Sequence, residues 1–181
     1  MTPLPFRIAL FGPESTGKSQ LAEALARHYQ EPWAQEYVRE FWDQHRGVVT
    51  AKDLDAIARG QIANEENAAA RAKRVVFCDT ELLTNVLWAD LLFPGACSPW
   101  VREAAEVRCR QYALYLLCLT DLPFGFDPQR SFPDEEDRAA CMRLWRQTLE
   151  EKKLPYVEVT GEGDARLSRA RAAVESVLKN C

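Results

Sequence analysis

The sequence predicts a three-layer α/β/α fold on a five-stranded parallel sheet, and three observations carry that prediction. Short apolar, β-branched or aromatic runs recur along the 181 residues and alternate with stretches of helical periodicity. The first run feeds directly into a glycine-containing turn that opens a helix. Parallel strands need crossovers, and the helices between the runs supply them on both faces of the sheet. The expected strand order is 2-3-1-4-5.

Each element has its own signal. Phe6-Arg7-Ile8-Ala9-Leu10-Phe11 is an apolar run that stops at Gly12, and after Lys18 the positions Leu21, Ala24, Leu25, His28 and Tyr29 follow a helical spacing. A second strand is predicted over Trp33 to Tyr37. Thr50 followed by Asp53 forms a capping-box pair, and Leu54, Ile57, Ala58 and Ile62 then predict a helix running to about Ala72. Val75 to Asp79 and Ala113 to Thr120 read as strands buried on both faces. The stretch Asp121 to Pro133 is rich in turn residues, and the acidic run from Asp134 to Asp137 complements the start of a helix that carries Leu144, Trp145, Thr148 and Leu149 on one side. Pro155 to Val159 is a last strand, and Leu167, Ala170, Val174, Val177 and Leu178 mark a last amphipathic helix.

Length and composition bound the function. One domain, residues 1 to 181, is expected from a chain of this length, and 47% hydrophobic with 28% charged residues is ordinary for a globular protein. A net charge of −4 offers none of the basic excess that neutralises nucleic-acid phosphates, so no nucleic-acid partner is expected. The six cysteines form no CxxC pair and read as reduced thiols. No run approaches the roughly 20 apolar residues that span a bilayer, and no signal peptide opens the chain, so no membrane partner and a cytoplasmic location are expected. A homo-oligomer is compatible with all of this.

The chemistry enters at Gly12-Pro13-Glu14-Ser15-Thr16-Gly17-Lys18-Ser19, which matches G-x-x-x-x-G-K-[ST] in the strand-then-helix context that a P-loop requires. Such a loop curls so that backbone N–H groups and the helix N-terminus face a polyphosphate. The residues expected to bind ATP are therefore Gly12, Glu14, Ser15, Thr16, Gly17, Lys18 and Ser19, with Gln20 following them into the helix. Lys18 would place charge over the β and γ phosphates, and the Ser19 hydroxyl would enter a Mg²⁺ shell made mostly of water and phosphate oxygens. Asp79, at the end of an adjacent strand, is the expected second carboxylate of that metal site. It can equally cap a helix starting at Thr80, and the two roles are compatible.

A P-loop NTPase can be a kinase, a GTPase or a motor, and the rest of the chain narrows the choice. No N-K-x-D guanine-reading motif is present. Arg130 and Arg138 border a turn-rich segment, about 121–138, that suits a lid closing arginine over a transferring phosphoryl group; the alternative is that both are surface arginines. An acceptor site is expected across the loop from Glu36, Tyr37, Arg39, Phe41 and Trp42, with Trp88 on the helix after Asp79, although the aromatic rings could equally be core. His28 and His45 stand alone and read as structural or surface residues.

Several of these segments together resemble the ribosylnicotinamide kinase domain of the bifunctional NadR family: Gly12 to Ser19, Glu36-Tyr37-Val38-Arg39-Glu40-Phe41, Gly60-Gln61, Cys78-Asp79-Thr80 and Asp127-Pro128-Gln129-Arg130. The resemblance covers nearly the whole chain. It implies a P-loop kinase that transfers the ATP γ-phosphate to the 5′-hydroxyl of nicotinamide riboside, a small-molecule nucleoside substrate. Members often carry an adenylyltransferase domain before the kinase; only eleven residues precede Gly12 here, so that second activity is expected to be absent. By the same likeness, Glu36 is expected to take the proton from the attacking hydroxyl, with Arg39 steadying the phosphate or the carboxylate. The competing reading is a structural Glu36–Arg39 ion pair. Gln61 could bond a nicotinamide carboxamide or simply pack. Lys18, Glu36, Asp79 and Arg130 are thus the expected catalytic set.

Overall fold

The computed structural model describes residues 4–124, 131–132 and 134–179. Arg130 and the Asp127-Pro128-Gln129 turn lie outside the described residues, as does part of the expected lid. The sheet contains β1 (Phe6–Phe11), β2 (Trp33–Ala34), β3 (Val75–Asp79), β4 (Tyr112–Cys118) and β5 (Tyr156–Val159), all parallel and ordered β2-β3-β1-β4-β5, as the sequence predicts.

The strand pleat sorts side chains between two hydrophobic layers. On β1, Ile8 and Leu10 face Leu21 and Leu25 of α1 (Lys18–Tyr29) together with Ala170 and Val174 of α7 (Gly163–Lys179). Ala9 and Phe11 face the opposite way, toward Ala58 of α3 (Leu54–Ala69), Leu82 of α4 (Leu82–Leu92) and Trp145 of α6 (Glu135–Glu151). Trp145 is fully buried, with its ring 6.3 Å from Phe11. Among the described residues no helix is long and apolar enough to cross a membrane.

The second strand is shorter than expected. It ends at Ala34, and Glu36, with φ −62° and ψ 113°, is the N-cap of α2 (Tyr37–Gln44). The cause lies in spacing: Tyr37 and Phe41 are four residues apart, so helix places both rings on one face, where they come 6.4 Å from each other, whereas a strand would send Val38 and its neighbours to alternate sides. Phe41 then stacks on His45 at 3.7 Å, and His28 meets Tyr29 edge-on; both histidines are exposed, in line with the structural-or-surface reading. The Thr50–Asp53 capping box is formed, but it opens a 3₁₀ turn, Ala51–Asp53, that leads into α3; that helix stops at Ala69 rather than near Ala72. A further helix, α5 (Pro99–Arg108), falls in a stretch assigned no element from the sequence, although Ser98-Pro99 is a helix-start pair.

α2 sits on α3 through a close approach. A Cβ added at Gly60 would lie 2.1–2.4 Å from ring atoms of Tyr37, so the tyrosine ring lies flat against bare backbone. The neighbouring Gln61 accepts the Tyr37 N–H at 2.9 Å and donates to Glu65 at 3.2 Å. Glu65 is wholly buried; burial pushes its carboxyl up, while Tyr112, at 2.6 Å, and Arg108, at 3.0 Å, oppose the shift.

Alanine normally stabilises a helix by about 1 kcal/mol over glycine. Gly60→Ala is expected instead to destabilise the protein by about 1–2 kcal/mol, because overpacking against Tyr37 outweighs that gain. In a Tyr37→Ala background the same change should become stabilising. Urea unfolding of the four proteins checks both signs, and a Gly60→Ala protein more stable than the parent would remove the packing argument.

Candidate active site

The phosphate loop hangs between the end of β1 and the start of α1. Gly12 has φ 145°, and a Cβ there would stand 2.6 Å from the carbonyl oxygen of Cys118 at the end of β4. Gly17 is the N-cap of α1 with no side-chain cap, which leaves the first N–H groups of that helix for an anion. Thr16 is buried and donates its hydroxyl to the Pro13 carbonyl at 2.9 Å; the Lys18 ammonium donates to the same oxygen at 2.7 Å. That carbonyl is a neutral acceptor, which a polyphosphate would outcompete for the lysine. Glu14 turns its carboxylate away from the loop and toward the backbone of residues 131–132.

Arg166 supports the loop from beneath, and nothing in the sequence analysis singles it out. It is 4% exposed and donates to the Thr16 carbonyl at 2.7 Å, the Gly161 carbonyl at 2.8 Å, the Asp121 carboxylate at 2.9 Å and the Leu119 carbonyl at 3.2 Å. A signal was present: a cation in the first turn of α7 opposes the helix dipole, so it must be held by something outside the helix.

Asp79 ends β3 beside the loop, because the parallel register sets it across from Leu10. It is 1% exposed, and its Oδ1 has no partner among the described residues. Burial and the nearby Glu36 push its pKa up to about 6, against the pull of Lys18, Ser19 and Arg39. The helix-cap alternative for Asp79 is corrected: Glu81 caps α4, accepting from Leu83 N at 2.8 Å and Thr84 N at 3.2 Å. Glu81 is fully buried and its pKa rises to about 8, through desolvation first. A hydroxyl and an orphaned carboxylate oxygen beside a phosphate loop suit Mg²⁺, which keeps most of its shell as water and phosphate oxygen. No cluster of three or more acidic, histidine or cysteine ligands occurs among the described residues, so a metal held by protein alone is not what this site offers.

A cavity of about 570 Å³ runs from Lys18, Ser19 and Gln20 past Glu36 and Arg39 to an apolar end. Glu36 Oε2 accepts from Arg39 Nε at 3.0 Å, and both residues line the cavity. Val38, Leu54, Ile57 and Trp88 wall the apolar end, and Val101 of the unforeseen α5 helps to close it. Asn85, one turn into α4, brings an amide into this region, and its Nδ2 is buried without a partner among the described residues.

Four residues expected at the acceptor are placed elsewhere: Phe41 is 4% exposed and stacked on His45, and the other three are Tyr37, Trp42 and Gln61. Tyr37 is spent on Gly60, Trp42 packs against Gly47, and Gln61 is 1% exposed with its amide bonded to Tyr37, Glu65 and, at 3.5 Å, the Thr80 carbonyl. None of the four lines the cavity. Arg138 donates to the Leu122 carbonyl at 3.0 Å and lies over the Phe124 ring, holding the start of the turn-rich segment.

The raised pKa of Asp79 has a direction in stability. Its ordinary pKa of 3.8 applies to the unfolded chain, so folding favours the protonated form, and the penalty for the ionised one is complete above pH 6 and gone below about pH 4. Asp79→Asn is expected to stabilise the nucleotide-free protein by up to about 3 kcal/mol at pH 7.5, the gain shrinking as the pH is lowered to 4.5. Urea midpoints of parent and variant across that range check it; a constant or reversed difference would contradict the burial argument.

Comparison with known proteins agrees with this geometry. Among curated proteins, the trifunctional NAD biosynthesis/regulator protein NadR of Escherichia coli strain K12 is 29% identical over 176 residues, which is 94% of this chain and 42% of the relative. NadR of Salmonella typhimurium strain LT2 is 28% identical over the same shares. The chain thus spans less than half the length of the curated relatives it matches. Among solved structures, a NadR protein in complex with NR aligns with a TM-score of 0.76 at 21% identity, covering 97% of this chain and 50% of that one. Thymidylate kinase from Ehrlichia chaffeensis aligns at 0.60 and 12% identity, over 97% and 100%. These alignments show a shared kinase-like P-loop fold. Residues 7–166 match the AAA_28 family model, described as an AAA domain, and with its phosphate loop on β1 and that match over most of its length, the chain belongs to the AAA_28 family.

Proposed function

We propose that this chain transfers the γ-phosphate of ATP, with Mg²⁺, to the 5′-hydroxyl of nicotinamide riboside, giving nicotinamide mononucleotide and ADP. The observation that carries the reading is the single cavity lined both by the phosphate loop and by apolar residues, with the Glu36–Arg39 pair on its wall. A regulatory ATP-binding module would have no use for that apolar lining. The NadR relatives, one of them solved with NR, support the choice of nucleoside.

In this reading Lys18 leaves the Pro13 carbonyl for the phosphates, and the N–H groups at the start of α1 hold the polyphosphate. Ser19 and Asp79 would hold Mg²⁺, which when bound neutralises charge on the phosphate oxygens. Glu36, poised by Arg39, takes the 5′-hydroxyl proton as the O5′–P bond forms and the bond from phosphorus to ADP breaks. Arg39 is placed to steady either Glu36 or the moving phosphoryl group, and Arg130 is assigned to the lid. At the far end the cationic pyridinium ring would lie against Trp88, and Asn85 would meet its carboxamide, the task first given to Gln61.

The test is incubation of the purified protein with ATP, Mg²⁺ and a panel of nucleosides, following ADP and product mass. Phosphorylated nicotinamide riboside in step with ADP is the expected result; ADP formed equally fast without acceptor would overturn the reading. Glu36→Gln should lower kcat by about 10²- to 10⁴-fold while ATP binding stays near normal. Asn85→Leu should raise the KM for nicotinamide riboside by about 5- to 30-fold, the worth of one buried hydrogen bond, and leave the KM for ATP unchanged. Unchanged acceptor KM in Asn85→Leu would place the carboxamide elsewhere.

A further inference from the structure

A carboxylate within a loop that binds polyphosphate is electrostatically misplaced unless it serves something else. Glu14 is such a residue. Both of its oxygens accept the Ser131 N–H, each at 2.9 Å, and Oε2 also accepts the Phe132 N–H at 3.2 Å. Phe132 in turn lies nearly parallel on Trp88, with ring centroids 5.9 Å apart and planes 12° from each other. Trp88 is set against Trp145, 4.9 Å away and fully buried, and it walls the apolar end of the cavity. A path of direct contacts therefore runs from the phosphate loop through two backbone N–H groups and two stacked rings to the acceptor end.

We infer that Glu14 is a positioning residue for the acceptor, fixing residues 131–132 so that Phe132 holds Trp88 as the wall on which the acceptor's ring rests. It does this without touching the acceptor. The inference rests on the proposal that the apolar end takes the acceptor. The bonds made by Glu14 are charge-assisted and so stronger than neutral ones, and they fix a short stretch entering α6 whose Ser131 also lines the cavity. Phe132 in turn offers Trp88 an offset aromatic partner that a mobile chain would not supply. Placement of this kind acts on the bound state of the nucleoside, so its loss should appear in acceptor KM.

The experiment compares Glu14→Ala, Glu14→Gln, Phe132→Ala and the Glu14→Ala/Phe132→Ala double variant in steady-state kinetics with ATP and nicotinamide riboside. Hydrogen exchange of the peptide containing residues 131 and 132 is followed in parallel. Glu14→Ala should raise the acceptor KM by about 10-fold or more, change the ATP KM by less than about 3-fold, and speed exchange at 131–132. Glu14→Gln keeps one carbonyl acceptor and should recover part of each effect, and it serves in the same comparison if Glu14→Ala does not fold. The double variant should be no worse than the poorer single one, because both act through one contact. A rise confined to the ATP KM, effects that multiply in the double variant, or unchanged exchange in an active Glu14→Ala enzyme would each overturn the assignment and leave the acceptor reading standing. A parent protein that phosphorylates no nucleoside would remove both the acceptor reading and the kinetic role of Glu14, even with the exchange difference present.

Discussion

The carbonyl of Cys118 and the backbone of Gly12 approach so closely that a single Cβ would stand 2.6 Å from the oxygen, and the rest of the site depends on that contact. It seats the phosphate loop on the end of β4. From there Arg166 can reach both Thr16 in the loop and Leu119 just past the strand. Because β1 is central and pairs β3 in the register Leu10↔Asp79, the same seat sets the loop beside a buried carboxylate. Strand order, bare glycine and buried arginine thus converge on one short segment, and none of them binds substrate through a side chain.

Around that seat the fold buries charge unevenly. Glu65 is desolvated but surrounded by Tyr112, Arg108 and Gln61, so its cost is offset by hydrogen bonds. Asp79 is just as buried, yet one of its oxygens has no partner among the described residues, and Glu36 adds repulsion. The two acids differ in what completes them. Glu65 finds its partners within the protein and holds helices together, whereas one oxygen of Asp79 finds none among the described residues.

Legibility from sequence followed the range of the interactions. The phosphate loop, β1 and β3 were legible because a strand feeding a glycine turn and an apolar run ending in aspartate are local signals with a local cause. The parallel sheet followed from alternation and handedness, whereas the strand order came with the P-loop kinase reading. α2 was misread because Trp33 to Tyr37 looks extended until the four-residue spacing of Tyr37 and Phe41 is weighed. Arg166 and Asn85 were missed for a different reason: Arg166 bonds Thr16 across 150 positions of chain, and Asn85 matters only because α5 and α3 fold over to make a cavity around it. Polar residues acquire such roles from tertiary neighbours, which periodicity does not encode.

The Gly60-Gln61 pair shows how a motif can be functional without touching a ligand. The sequence left Gln61 open to two readings, a bond to the acceptor's carboxamide or simple packing. In the fold, Gly60 makes room for the Tyr37 ring and Gln61 takes the Tyr37 N–H, one of the groups that the start of α2 leaves without a helical partner. Glu36 is the N-cap of that helix and makes no side-chain cap bond, so its carboxylate is left for Arg39 and the cavity. A cap supplied from α3 does for the backbone what Glu36 would otherwise do with its own side chain. The pair on α3 thereby frees the carboxylate on which the proposed chemistry turns, and it fixes where that carboxylate stands relative to the phosphate loop.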